Sequence, residues 1–243
     1  MNASKIGYGV LIIFLLGAVS ACEPSTGLQT EHQTVAADGA KQAEVTLRMG
    51  AGELRVSGAA QDALLEGTFH FNRDRLKPEI DYHVSGTTGI LNVEPRRRHG
   101  IYFGHVRNEW DLELSQSIPI ELAVKLGAGE SRLDLRGLEL SGVDVGMGVG
   151  EMRLDLSGRR TKGFSVKVDG GVGSGILILP SGVGVRVRVS GGIGSVNAHG
   201  LQKSGHEYTN EAYGKSDVTI DIRINAGIGS LDLRVEPGET AKF

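Results

Sequence analysis

Apolar and polar residues alternate along most of the chain after residue 42. Over Thr68–Asn72, both phenylalanines fall on one side and polar residues on the other. Ile80–Val84 and Trp110–Leu114 show the same alternation. A period of two with one apolar face is typical of half-buried antiparallel strands. No segment in this part of the chain has a convincing helical period. The pattern therefore predicts an all-β body.

From about residue 119 the alternating segments are joined by a recurring Gly-x-Gly unit. Five copies follow one another, and their first glycines are Gly127, Gly148, Gly171, Gly192 and Gly227. An earlier copy, RMGAGELRV, begins at Arg48, and the last interval holds an insertion over residues 201–217. A repeat of about 20 residues is typical of a stack of β-rungs.

Each Gly-x-Gly unit is expected to mark a sharp bend between two strands. Glycine permits such a bend because it has no Cβ, so it tolerates a positive φ or close approach to the next rung. After the bend, alternation places Leu133 and Leu135 inside. Rungs stacked in register at about 4.8 Å would place Arg132 beside Arg153 on the outer face.

The first 22 residues have the three parts of an export signal. Lys5 supplies a positive charge, Ile6–Val19 is apolar, and small residues precede Cys22. The apolar run of about 14 residues is short for a membrane span but suits a signal peptide. Val19–Cys22 resembles the lipobox of bacterial lipoproteins, which implies cleavage before Cys22 and a lipid on its thiol. An ordinary secreted protein or a short membrane anchor is the alternative interpretation.

Composition narrows the class of protein. Cys22 is the single cysteine, so no disulfide forms within the chain. The net charge of −3 gives no indication of a nucleic-acid partner. The chain contains 37 glycines that do not follow a collagen period, so we expect them to lie at turns within a folded structure. Glu23 follows the cysteine and favours the outer membrane over the inner membrane if the host is Gram-negative.

The chain divides into five predicted segments. The polar residues after Cys22 predict a flexible tether with a reach of roughly 25 Å. The segments are a signal peptide (1–21), the tether (22–42), an antiparallel N-terminal β unit (43–118), a continuous repeat-built stack (119–236) and a C-terminal tail (237–243).

Three features of the body resemble the toast-rack family of bacterial envelope proteins, which includes part of the LiaF-type envelope-stress proteins. They are the repeated GAGE, GVGE and GIGS turns, the segment LLEGTFHFNRDRLKPEIDYHVSGTTGILNVEP from Leu64, and the segment HEYTNEAYGKSDVTIDIRINAGIGSLDL from His206. The resemblance covers roughly residues 43–236. It implies a stack of β-rungs, an envelope location and, for most members, no enzymatic activity.

No catalytic motif stands out. There is no nucleophile elbow and no Walker loop, and the Gly-x-Gly units precede strands rather than helix N-termini. The seven histidines have no zinc-like spacing. Asp134 and Asp155 occupy equivalent repeat positions, but an arginine stands two residues before each. We therefore expect no catalytic residue, metal or cofactor.

The segment RRRHGIYFGHVR is the candidate interaction loop. It combines arginines with aromatic residues between two strands, and its candidate contact residues are Arg96, Arg97, Arg98, Tyr102, Phe103 and Arg107. Such a loop suits contact with anionic lipid or with polyanionic envelope polymers. The alternative is a solvated hairpin tip whose aromatic side chains fold back on the sheet.

Together these patterns predict a non-catalytic, lipid-anchored protein of the cell envelope. Scaffold, sensor and adhesion roles all fit, and the family resemblance adds a link to the envelope stress response. The expected partners are the membrane, through the lipid, and an envelope protein or an anionic polymer. An enzyme or binding module that acts on cell-surface polysaccharide is the alternative.

Overall fold

The structure is a computed structural model, and it describes residues 27–60, 62–96, 106–192 and 194–236. These residues form one sheet of fourteen strands, which confirms the all-β prediction. A 3-10 helix spans Asp74–Leu76. The strands are β1 Gln29–Val35, β2 Gln42–Ala60, β3 Leu65–Phe71, β4 Pro78–Ser85, β5 Thr88–Pro95, β6 Asn108–Ser115, β7 Ile120–Asp134, β8 Leu140–Asp155, β9 Phe164–Leu179, β10 Gly184–Gly191, β11 Ser195–His199, β12 Gln202–Ser204, β13 Glu207–Thr209 and β14 Thr219–Val235.

The sheet is folded into two layers along the line of Gly-x-Gly units. Strands β2, β7, β8, β9 and β14 lie side by side, parallel and in register, and each passes through one such unit. Their N-terminal halves form the first layer and their C-terminal halves form the second. At one end, β5 and β4 extend the first layer, while β6, β3 and β1 extend the second.

The order of rungs in space differs from their order in the sequence. Strand β14, the last in the chain, lies between β9 and β10 and is parallel to both. The early copy on β2 is the first rung of the stack, with Gly52 opposite Gly129. The insertion forms the short strands β12 and β13, of which β13 pairs with the outer edge of β10. The N-terminal unit over residues 43–118 is therefore continuous with the stack, but the prediction that it is antiparallel is only partly right. Strands β5 and β6 are parallel to β2, because β2 is itself a rung, whereas β4, β3 and β1 pair antiparallel.

One apolar core fills the space between the two layers. Leu133 and Leu135 are buried as the alternation predicted, and the rings of Phe69 and Trp110 meet edge to face at 5.4 Å. The indole Nε1 of Trp110 donates a hydrogen bond to Asn108 Oδ1 at 3.0 Å. The large core side chains therefore come from both halves of the chain.

Both features expected of the Gly-x-Gly bends are present. The second glycine has a positive φ in the bends of β2, β7, β8, β9 and β14, for example +129° at Gly129 and +138° at Gly150, whereas in the copy after β10 the positive φ is at Gly191. The first glycine lies against the next rung, since a Cβ on Gly127 would lie 2.3 Å from the carbonyl oxygen of Gly50. Backbone conformation and close approach thus both require glycine at the fold line.

The predicted tether over residues 22–42 is wrong over Gln29–Val35, which form β1. This strand is antiparallel to β3, with Thr30 opposite His70 and His32 opposite Thr68. Side-chain hydrogen bonds of 2.9 Å and 3.0 Å join these two pairs. The sequence of β1 has no apolar pattern that would predict a strand, because β1 is an edge strand that buries little apolar surface. The signal peptide, Cys22 and the tail over residues 237–243 lie outside the described residues.

Two buried polar side chains tie loops to the layers. Arg160, which is 8% exposed, donates hydrogen bonds to the backbone carbonyls of Leu135, Leu138, Leu156 and Ser157. Burial lowers the pKa of Arg160. Asn210 accepts a hydrogen bond from the Val185 N–H at 2.9 Å and donates to the carbonyls of Pro180 and Val183. Both residues satisfy backbone groups that would otherwise be buried without partners.

Candidate functional site

A basic groove on the outer surface of the first layer, close to the fold line, is the candidate functional site. Its volume is about 660 Å³. Its charged lining consists of the basic residues Arg48, Arg75, Arg96, Lys125 and Lys167 and the acidic residues Glu94, Asp144 and Asp169. The lining therefore carries two net positive charges, whereas the whole chain has a net charge of −3.

The stacking of the rungs creates the groove. Arg48 on β2 lies beside Lys125 on β7, which lies beside Gly146 on β8, which lies beside Asp169 on β9. Gly146 has no side chain, and a Cβ built there would have no neighbouring atom closer than 3.9 Å. The floor of the groove is therefore open at β8, between the side chains of Lys125 and Asp169.

Only part of the positive charge in the groove is held in close ion pairs. Arg48 Nη1 lies 4.0 Å from Glu94 Oε2. Lys167 is hydrogen-bonded to Asp169, and this bond raises the pKa of its ammonium group. Among the described residues, Lys125 forms no salt bridge within 4.0 Å. The groove thus keeps positive charge available for an external anion.

The structure separates the two described ends of the candidate interaction loop. Arg96 lines the basic groove, and its Nε lies 3.5 Å from Glu79 Oε1. Arg107 instead pairs with Glu109 at 2.6 Å on the second layer. That pair raises the pKa of Arg107 and lowers the pKa of Glu109. Arg97, Arg98, Tyr102 and Phe103 lie outside the described residues.

The repeated carboxylates belong to a network of surface ion pairs. Arg136 lies 2.6 Å from Asp134 and 3.7 Å from Asp155. The hydrogen bond from Arg136 lowers the pKa of Asp134. Arg132 lies beside Arg153, as predicted, and is paired with Glu130 at 3.2 Å. These carboxylates lie on the outer face of the second layer.

The described residues contain no group of three or more histidine, cysteine or acidic side chains placed to hold a metal ion. Nor do they include a helix that is long and apolar enough to cross a membrane. The basic groove places several cationic side chains around an open floor. That arrangement suits binding of an anionic group.

Sequence reasoning missed most of the groove. Arg48 and Lys125 hold the same position in two copies of the repeat, and that shared position was the signal that could have identified them. Arg75 could not be found in this way, because the short helix that carries it lies outside the repeat. Lys167 belongs to a different row, where it lies beside Asp144.

Comparisons with known proteins give one family match and several similar structures. The family model described as the N-terminal domain of toast_rack, DUF2154, matches residues 24–178. No curated protein matches the chain.

Among solved structures, the chain is similar to a candidate cell adhesion protein from Clostridium sporogenes. The identity is 34%, the TM-score is 0.83, and the match covers 86% of this chain and 100% of that chain. A candidate adhesin from Bacteroides fragilis matches at 14% identity with a TM-score of 0.33, covering 88% of this chain and 100% of that chain.

Proposed function

The chain belongs to the toast-rack family, and on that premise we propose that it is a non-catalytic, lipid-anchored module of the cell envelope that adheres to anionic surface polymers. The observation that carries this proposal is the similarity of the whole body to the Clostridium sporogenes candidate cell adhesion protein, at 34% identity and a TM-score of 0.83. A match across 86% of the chain involves the scaffold as a whole rather than one motif.

The proposed anchor is a lipid on Cys22. The apolar run and the small residues before Cys22 support export and lipid attachment. A lipid chain at this point would hold the body at the envelope surface, and Glu23 favours the outer membrane in a Gram-negative host.

The basic groove is the proposed binding site for the polymer. Arg48 and Lys125 lie side by side on the neighbouring rungs β2 and β7, and Lys167 on β9 adds a third cation to the groove from the adjacent row. A polymer that carries repeated phosphate, sulfate or carboxylate groups could contact several of them at once. Because the contacts are exposed, each contributes only about 0.2–1 kcal/mol and weakens as salt rises.

A pair of matched polymers tests the groove. We expect the purified lipidated protein in detergent micelles to bind dextran sulfate and not uncharged dextran, since the two share one sugar backbone. Replacement of Arg48 and Lys125 by serine should weaken binding roughly two- to thirtyfold, which corresponds to the loss of two exposed charges.

The control removes the same charge from the opposite face. Arg132 and Arg153 are also neighbours on adjacent rungs, but they lie on the second layer. Their double replacement by serine should change binding by less than the groove variant does. Equal losses in the two double variants, or equal binding of the two polymers, would show that the groove is not the binding site.

A further inference from the structure

The fold line produces an exposed apolar edge. On β2, β7, β8 and β9 the middle residue of the Gly-x-Gly unit is exposed at the bend, and these residues are Ala51, Ala128, Val149 and Val172. The two valines are 54% and 51% exposed. We call this row of four residues the fold edge.

The body begins at the same edge. Gln29, the first residue of β1, pairs with Phe71 on β3, which pairs with Asn108 on β6. The side chain of Asn108 donates a hydrogen bond to the carbonyl oxygen of Ala51 at 2.8 Å. The start of β1 and the bend of β2 therefore lie at the same level of the second layer.

Exposed apolar side chains concentrate at this end of the molecule. Five large apolar residues are exposed in the described part of the chain. Leu28 and Val106, at 47% and 45% exposure, precede β1 and β6 and join the two valines of the fold edge there. The fifth, Val84, lies opposite Gly89 near the start of β2, about 26 Å away along the strand.

The distance from Cys22 to the body restricts which end faces the membrane. Five residue steps separate Cys22 from Gly27, the first described residue, so they span at most about 17 Å. If Cys22 carries a lipid, as the proposed function states, the corner at Gly27 is held close to the bilayer surface. The fold edge runs from the level of that corner across the stack.

We propose that the fold edge rests on the phospholipid bilayer, with Leu28, Val106, Val149 and Val172 in the interface between headgroups and acyl chains. This inference rests on the proposed lipid anchor. The lipid supplies the attachment, and shallow burial of apolar side chains determines which edge of the body meets the bilayer. The in-register pairing of the bends satisfies much of their backbone, so their approach to the interface leaves few polar groups unpaired.

Charge near the edge sets a direction of tilt. On the first-layer side, Arg48 and Lys125 lie next to the bends. On the second-layer side, Glu53, Glu130 and Glu151 occupy neighbouring positions. On a bilayer with anionic lipid, the first-layer side lies closer to the headgroups, so the basic groove opens close to the membrane surface.

Site-specific fluorescence tests the proposal. Cys22 is the single cysteine, so its acylation leaves an introduced cysteine as the sole reactive thiol. Val149→Cys and Val172→Cys report on the fold edge, and Val84→Cys is the matched control, since it is also an exposed valine. Each variant of the lipidated protein is labelled with bimane and reconstituted in vesicles of phosphatidylethanolamine and phosphatidylglycerol.

The proposal predicts opposite quenching at the two ends. Brominated lipid should quench the labels at positions 149 and 172, and iodide should quench them less than the label at position 84 by a factor of about three. If the protein floats with the vesicles but iodide quenches all three labels equally, the fold edge does not rest on the bilayer. The lipid anchor is not contradicted by that result. If the protein does not float with the vesicles, the proposed lipid anchor is wrong, and the proposal about the fold edge is refuted as well.

Discussion

Replacement of Gly150 by alanine should destabilise the body strongly. Gly150 has a φ of +138°, and an added Cβ would lie 1.9 Å from the carbonyl oxygen of Gly129 on the neighbouring rung. An L-residue held at such a φ costs about 1–3 kcal/mol. Moving the neighbouring backbone away adds about 1–3 kcal/mol, as in other overpacked sites. The free energy of unfolding should therefore fall by about 2–6 kcal/mol.

A second glycine in the same strand provides the control. Gly146 also lies on β8, but a Cβ there would have no neighbouring atom closer than 3.9 Å. Gly146→Ala should leave the stability unchanged or raise it by up to about 1 kcal/mol, because alanine reduces the entropy of the unfolded chain. The comparison thus separates the fold line from the rest of the strand.

Thermal unfolding followed by circular dichroism measures the difference. For a body of this size, 1 kcal/mol shifts the melting temperature by about 2–4 °C. Gly150→Ala should therefore melt at least about 4 °C below wild type, while Gly146→Ala melts at or above it. If the two variants melt within about a degree of each other, the fold line does not depend on glycine conformation and the account of the bends is refuted.

Three further predictions concern buried and paired polar groups. Arg160→Met should lower the free energy of unfolding by about 2–4 kcal/mol in urea titrations, because several buried carbonyls lose their donor; a midpoint equal to wild type would contradict this. Asn210→Ala should cost about 1–3 kcal/mol in the same assay, because the buried Val185 N–H loses its acceptor, and an unchanged midpoint would show that water replaces the amide. The bond from Arg136 lowers the pKa of Asp134, so this pair stabilises the fold above about pH 4 and the contribution is lost as the pH falls through the lower folded pKa. Asp134→Asn should therefore lose stability less steeply on acidification than wild type, by a small amount for an exposed pair, and identical acid profiles would contradict the linkage.

Alternation along the chain was sufficient to predict the faces of the strands. Phe69 and Phe71 are both fully buried, as a period of two requires. The strand β1 was missed because an edge strand with polar residues on both faces has no apolar signature. The position of β14 between β9 and β10 was not predictable, because parallel copies of one repeat can pair with each other in several orders.

The candidate site depends on contacts that no short sequence window contains. Arg48, Arg75 and Lys167 are far apart in the chain and meet only because rungs stack and the segment after β3 folds over them. The loop over residues 96–107 was predicted from its composition alone. Arg96 lines the groove, but composition alone does not reveal that Arg96 pairs with Glu79 and Arg107 with Glu109.

Metabolic labelling of Cys22 is the most direct test of the account, because the envelope anchor and the orientation of the fold edge both depend on it. Cells that express the full chain are grown with an alkyne-tagged fatty acid, and the wild type is compared with Cys22→Ser. The account predicts that the wild type carries the label and sediments with the membrane fraction, while the serine variant carries none and keeps its uncleaved signal. Equal incorporation in both proteins, or a membrane-free wild type without label, would contradict it.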